Sequence, residues 1–237
     1  RDGLRDLLCG TPGTRRRAAL TAPDYTREVA AAAKILSGWA QGGAPPAKLV
    51  YVLEHHYSPA GLSWAGLKNG DAARGAPLAQ AARQAGCAVH LGVVHIQEEG
   101  IAELHYDPYY DRRSRWHRGE DAGDDESEAE GNGQDFDAVE VSESIQYIDD
   151  WKRLDDQPVE FGQIPLGKAE LLPEGALENE EPDEQRVMEA TGNEGASFER
   201  AYHRAAVIVW PESRYADVLL QAGVGAVLPY LKERIEA

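Results

Sequence analysis

The run Ala205-Ala206-Val207-Ile208-Val209-Trp210, stopped by Pro211, constrains the fold of this chain more than any other stretch. A short apolar run, β-branched at its centre and bounded by turn residues, reads as a buried strand. Pro211 cannot donate to a ladder, so it marks where that strand leaves the sheet. Ahead of the run lies a charged and aromatic segment, Phe198 to Arg204, preceded by the turn Gly192-Asn193-Glu194-Gly195, whose glycines supply positive φ. Behind it, Ser213 offers an N-cap for a helix through Tyr215 and Leu219-Leu220 to Gly223. The segment is turn, strand, turn, helix, with its polar residues gathered where the strand begins.

A strand of this kind needs a sheet and a core, and 237 residues with 42% hydrophobic content supply both. Helical and strand signals interleave along the chain. From Pro23, Val29, Ala32, Ala33, Leu36 and Trp39 recur at helical spacing until Gly42-Gly43. Leu49 to Leu53 reads as a strand, and Ser58-Pro59 as the start of a helix through Leu62, Trp64 and Leu67. Asp71 caps another helix that Gly86 closes, and Val89 to Ile96 is the next strand, where Gly92 marks a close approach or a bulge. Strand, helix, helix, strand is the order of a crossover between parallel neighbours. Val139 to Ile148 alternates as a strand. The class is therefore α+β (mixed α/β): a central sheet of about four to six strands with packed helices. We expect one such domain over 22–237, after a flexible segment, 1–21, that carries Arg15-Arg16-Arg17 as a solvated basic cluster.

Charge narrows the partners. Residues 101–118 hold Tyr106, Tyr109, Tyr110 and Trp116 among Arg112, Arg113, Arg115 and Arg118, a composition suited to stacking on nucleic-acid bases. The stretch from Gly119 to Trp151 has no Lys or Arg and is crowded with Asp and Glu, so an acidic, disordered loop is expected near 119–136. A formal net charge of −17 argues against non-specific binding to nucleic acid or to an anionic membrane. No run approaches the roughly 18 apolar residues of a membrane span. Cys9 and Cys87 belong to no CxxC or Cys-His cluster and read as free thiols of a reducing compartment, hence a cytoplasmic location. His55 and His56 adjoin at a strand end, but successive strand side chains point to opposite faces, so the two do not converge on a metal.

Three stretches carry a resemblance: Lys48 to Leu62 (KLVYVLEHHYSPAGL), Ala85 to Val94 (AGCAVHLGVV) and Asp183 to Arg200 (DEQRVMEATGNEGASFER), the last continuing to Arg214. In that order they resemble the region following the catalytic core in large bacterial and fungal 2-oxoglutarate/Fe(II)-dependent oxygenases of the prolyl-4-hydroxylase-like group. The resemblance implies a parent dioxygenase using Fe(II) and 2-oxoglutarate. It implies that this chain is an accessory, non-catalytic C-terminal part, whose partners are an oxygenase core upstream and a protein substrate.

A rival reading makes the chain a self-sufficient oxygenase. His105-Tyr106-Asp107 is a His-x-Asp motif, His203 lies downstream, and Arg214 follows at an interval resembling that from distal histidine to cosubstrate arginine in the family. Two imidazoles and a carboxylate suit Fe(II) with open positions, and Arg214 suits the far carboxylate of 2-oxoglutarate. Against it, the motif sits between Gly100 and Pro108 rather than in a strand, and Pro211 with a helix start intervenes before Arg214. The plainer role for His203 and Arg204 is pairing with Glu194 or Glu199. A third reading, from another class, is an acidic protein-interaction module.

Overall fold

The structure, a computed structural model, describes residues 24–43, 45–104, 136–178, 180–188 and 195–236. The expected flexible segment 1–21, the basic aromatic stretch from His105 to Arg118, and the acidic loop up to 135 lie outside the described residues; Phe136 already belongs to a strand. In chain order the elements are α1 (Thr26–Gly42), β1 (Leu49–Val52), α2 (Asn69–Gln84), β2 (Cys87–Leu104), β3 (Phe136–Lys152), β4 (Ile164–Pro165), β5 (Leu171–Leu172), β6 (Glu184–Met188), β7 (Ser197–Pro211), α3 (Tyr215–Leu220) and α4 (Val224–Glu236). This is an α+β fold on one mixed sheet of seven strands, ordered β4-β3-β2-β7-β1-β5, with β6 also paired to β7.

The apolar run of β7 takes the centre because every residue from Arg204 to Pro211 is buried. Its whole length pairs antiparallel with β2, from Ile101↔Ser197 to Cys87↔Pro211. Its other edge is shared by β6 and β1. Here the structure departs from the expected crossover: β1 and β2 run parallel, but β7 lies between them. Side-chain burial decides this, since the strand apolar on both faces is the one that must be covered on both.

Alternation then sorts the side chains. One face of the sheet sets Val89, Leu91, Val93, Ala205, Val207 and Val209 against Val29, Ala33 and Leu36 of α1 and Ala79 and Ala82 of α2. The other sets Val94, Ile96, Ala206, Ile208 and Trp210 against Trp151, Phe161, Ile164, and Val218, Leu219 and Val227 of α3 and α4. Gly43, at φ 66, stops α1 as its sequence predicts. At Gly92 the β2–β3 register shifts, and an added Cβ would lie 3.0 Å from Ile148 Cγ2 and 3.1 Å from Ile208 Cδ1, so both expected roles of this glycine are met.

The helix expected from Ser58 does not extend. Ser58 Oγ accepts from the Gly61 amide at 3.2 Å, and the chain then turns again, with the Trp64 amide donating to Asp156 Oδ1 at 2.7 Å. The long-range bond outweighs the local propensity of a stretch containing Gly61 and Gly66. Strand pairing also runs further than apolar pattern indicates. β2, β3 and β7 continue past the two cores as an arm, whose own small core is Ala102, Phe136, Val187 and Phe198.

Candidate functional site

On the α1/α2 face the alternating series Val89-Leu91-Val93 continues to His95, and Val209-Val207-Ala205 continues to His203. The helical layer stops short of both. They are direct cross-strand partners, their rings edge to face at 4.9 Å between centroids. Tyr147 of β3 stands opposite His95 and stacks on it at 4.9 Å with an interplanar angle of 7°. A row Tyr147–His95–His203 thus crosses three strands.

Asp183, at the head of β6, extends the row beyond β7. Its Oδ2 accepts from the His203 amide and from Arg204 Nη1, each at 2.6 Å, and lies 3.9 Å from His203 Nδ1. Its Oδ1 is 3.3 Å from His56 Nδ1. Desolvation opposes the charge on Asp183, yet the His203 amide, the Arg204 guanidinium and His56 hold its carboxyl below the usual carboxylate range. Arg204, buried, also donates through Nε and Nη2 to Glu180 Oε2 at 3.1 and 2.9 Å and through Nη2 to the Glu181 carbonyl at 3.0 Å. Of the partners expected for this pair, Glu199 stands five strand positions from Arg204 and on the opposite face, and Glu194 lies outside the described residues; the carboxylates that meet Arg204 are Asp183 and Glu180.

His56 is placed by a second, buried network. Asp71 has no exposure; its carboxylate accepts from the Glu54 and His55 amides at 2.8 and 3.1 Å, from Tyr57 Oη at 2.9 Å, and meets His55 Nδ1 at 2.8 Å. Desolvation works against that carboxylate as well, and these donors bring it below its ordinary value. Asp71 thus ties down the loop leaving β1 rather than capping α2. His55 is drawn to Asp71 and His56 to Asp183, so the adjacent imidazoles diverge; both lie past the end of β1, and these carboxylates rather than strand alternation set them.

Burial and the neighbouring His203 push the His95 pKa down, against Asp150, whose Oδ2 is 3.6 Å from His95 Nε2. Among the described residues no group of three or more His, Cys, Asp or Glu is disposed to hold a metal ion. The donors around Asp183 are spent on one another.

Of the sequence-selected iron and cosubstrate residues, His105 and Asp107 lie outside the described residues. His203 and Arg214 are not brought together. His203 sits mid-strand, Arg214 lies past the end of β7, and at a strand rise of about 3.3 Å per residue the two are separated by roughly 25 Å. Arg214 Nη1 donates to the Pro46 carbonyl at 3.0 Å, with its guanidinium 5.8 Å from the centre of the Trp39 ring. Sequence reading missed His95, Tyr147 and Asp183. The signal for His95 was present: a polar residue in the alternating series of a strand otherwise apolar on that face. Cys87, expected as a free thiol, is free and buried, which pushes its pKa up to about 11. No helix among the described residues is long and apolar enough to cross a membrane.

Comparison with protein-family models, with curated proteins and with solved structures finds no match to this chain.

Proposed function

We propose that this chain is an accessory, non-catalytic part of a 2-oxoglutarate/Fe(II)-dependent oxygenase, supporting the oxygenase core or the placing of its protein substrate. One observation carries the reading. The three stretches that resemble this family come from distant parts of the sequence, and they fold onto neighbouring strands: the first forms β1 and brings His56, the second forms β2, and the third forms β6 and β7 and brings Asp183, His203 and Arg204. Where they meet, their polar groups bind one another, which is the use expected of scaffold residues. The roughly 25 Å between His203 and Arg214 weighs against the rival reading, in which His105, Asp107 and His203 hold iron and Arg214 holds the cosubstrate.

The test is anaerobic Fe(II) titration of the chain with and without 2-oxoglutarate, following the metal-to-ligand charge-transfer absorbance. A scaffold shows no saturable band, and His203→Ala leaves the spectrum unchanged. A saturable band lost in both His105→Ala and His203→Ala would overturn the proposal and make the chain an oxygenase in its own right.

A further inference from the structure

Helix α4 buries one side of its apolar surface and leaves the adjoining side in water. Val227 is buried in the core beneath α3 and α4, and Tyr230 stacks on Tyr215 at 4.3 Å and 15°. The Arg234 guanidinium lies 5.9 Å from the centre of the Tyr230 ring. These residues, three and four apart, form the side turned to the sheet. Val224, Leu228, Leu231 and Ile235 follow the same helical spacing beside them and are exposed at 62, 46, 40 and 85%. Their steps of four, three and four are those of a seam along which one helix packs on another. An apolar stripe of this kind left in water marks an interaction surface.

The helix is complementary to itself along that seam. In an antiparallel pair with a twofold axis between Leu228 and Leu231, Leu228 meets Leu231 of the second copy and Val224 meets its Ile235. Lys232 then comes level with Val227 of the other helix, about 3 Å along the axis from Gly225. That flank is open, because an added Cβ at Gly225 would meet nothing within 4 Å. It also holds an acceptor: Pro229 has no N–H, so the Gly225 carbonyl lacks the donor that a helix supplies four residues on. The Lys232 ammonium supplies it from the second copy. Charge permits the approach as well. The chain carries a formal −17, but on α4 Lys232 and Arg234 balance Glu233 and Glu236, so two copies meet here on a locally neutral surface.

We propose that α4 is a self-association surface: two copies of this chain pair antiparallel through Val224, Leu228, Leu231 and Ile235, and Lys232 of each donates to the Gly225 carbonyl of the other. A helix of 13 residues is about 20 Å long. One face of it buries less than the roughly 800 Å² per partner of standard stable complexes, so the dimer is weak, with a Kd of about 10–100 µM. The inference goes beyond the accessory role and does not require it.

The experiment is sedimentation velocity on the full chain from about 1 to about 300 µM, which spans the expected Kd. The parent is expected to pass from monomer to dimer, and more readily as salt rises, because salt screens the repulsion between two acidic copies. Leu228→Glu should weaken the dimer at least about tenfold. Its urea unfolding at the dilute end should match that of the parent, which separates a lost interface from a damaged fold. Orientation is read by disulfide trapping in a Cys9→Ser background: mixing the Val224→Cys and Ile235→Cys chains should give the mixed disulfide in preference to either homodimer. Dimers unaffected by Leu228→Glu, or homodimeric disulfides predominating in the mixture, would overturn the proposal. A chain that stays monomeric throughout would overturn it too and leave the face to another protein or to a lipid surface, the second revealed by binding to phosphatidylcholine vesicles.

Discussion

His90 lies on the α3/α4 side of β2, 5% exposed, in a ring of aromatic side chains. It stacks on Trp210 at 4.7 Å and 19°, with Phe161 edge-on at 5.0 Å and Trp151 and Tyr215 further out. Neither ring nitrogen makes a well-formed hydrogen bond. Burial, aided by the Arg153 charge and opposed weakly by the Lys152 backbone, pushes its pKa from 6.5 down to about 4. The native state therefore holds this imidazole neutral in a range where the unfolded chain protonates it. Stability is unaffected well above 6.5, falls as pH drops through 6.5, and stops falling near 4. Integrating that difference gives a loss of about 2 kcal/mol between about pH 7 and about pH 5.

The window is informative because the depressed carboxylates, Asp71 and Asp183, lose their contributions only as pH falls through the ordinary carboxylate pKa of 3.8 and below. The assay is urea unfolding followed by tryptophan fluorescence across the window, on the parent chain and on His90→Phe and His90→Leu. Both variants keep an apolar group against Trp210 and remove the proton site. Each should lose about 2 kcal/mol less than the parent between the two ends. His95, also shifted down, remains in all three proteins and cancels in the difference. If parent and variants lost the same stability, the reasoning about His90 would be refuted.

Two further outcomes follow from single side chains. Asp71→Ala should cost about 3 kcal/mol in urea unfolding, because two amides and the Tyr57 hydroxyl lose a buried acceptor, and it should speed hydrogen exchange at Glu54 and His55. Gly100→Ala places a Cβ into the Glu140 carbonyl oxygen and against the Phe198 ring, so it should destabilise the arm by about 2 kcal/mol. The effect should be confined to hydrogen exchange in β2, β3 and β7 beyond His95, while the cores stay protected; uniform loss of protection would show that the arm does not open separately.

How much of this was legible beforehand differs from element to element. The spacing of Val29, Ala33 and Leu36 specified α1, and alternation specified the middle of β2, because those periods report which face of a local element is dry; in β3 the alternating Val139, Val141 and Ile145 are exposed, and pairing with β2 holds the strand. The same signal failed at Glu98 to Leu104 and at Glu199 to His203, where main-chain pairing with a neighbour does more than side-chain burial to hold the strand. The Asp183 cluster was illegible for a related reason. His56, Asp183 and His203 are far apart in sequence, and no local spacing links them.

The sequence by itself determined that Ala205 to Trp210 is a buried strand, that the class is α+β, and that the chain is strongly acidic. Only the tertiary structure decided that β7 separates β1 from β2, that His95 faces His203, and that Glu99 stands between Glu143 and Glu199. Periodicity is a property of one segment meeting solvent. Strand order and cross-strand register are properties of several segments competing for the same buried centre, and that competition is resolved only when all of them are folded together.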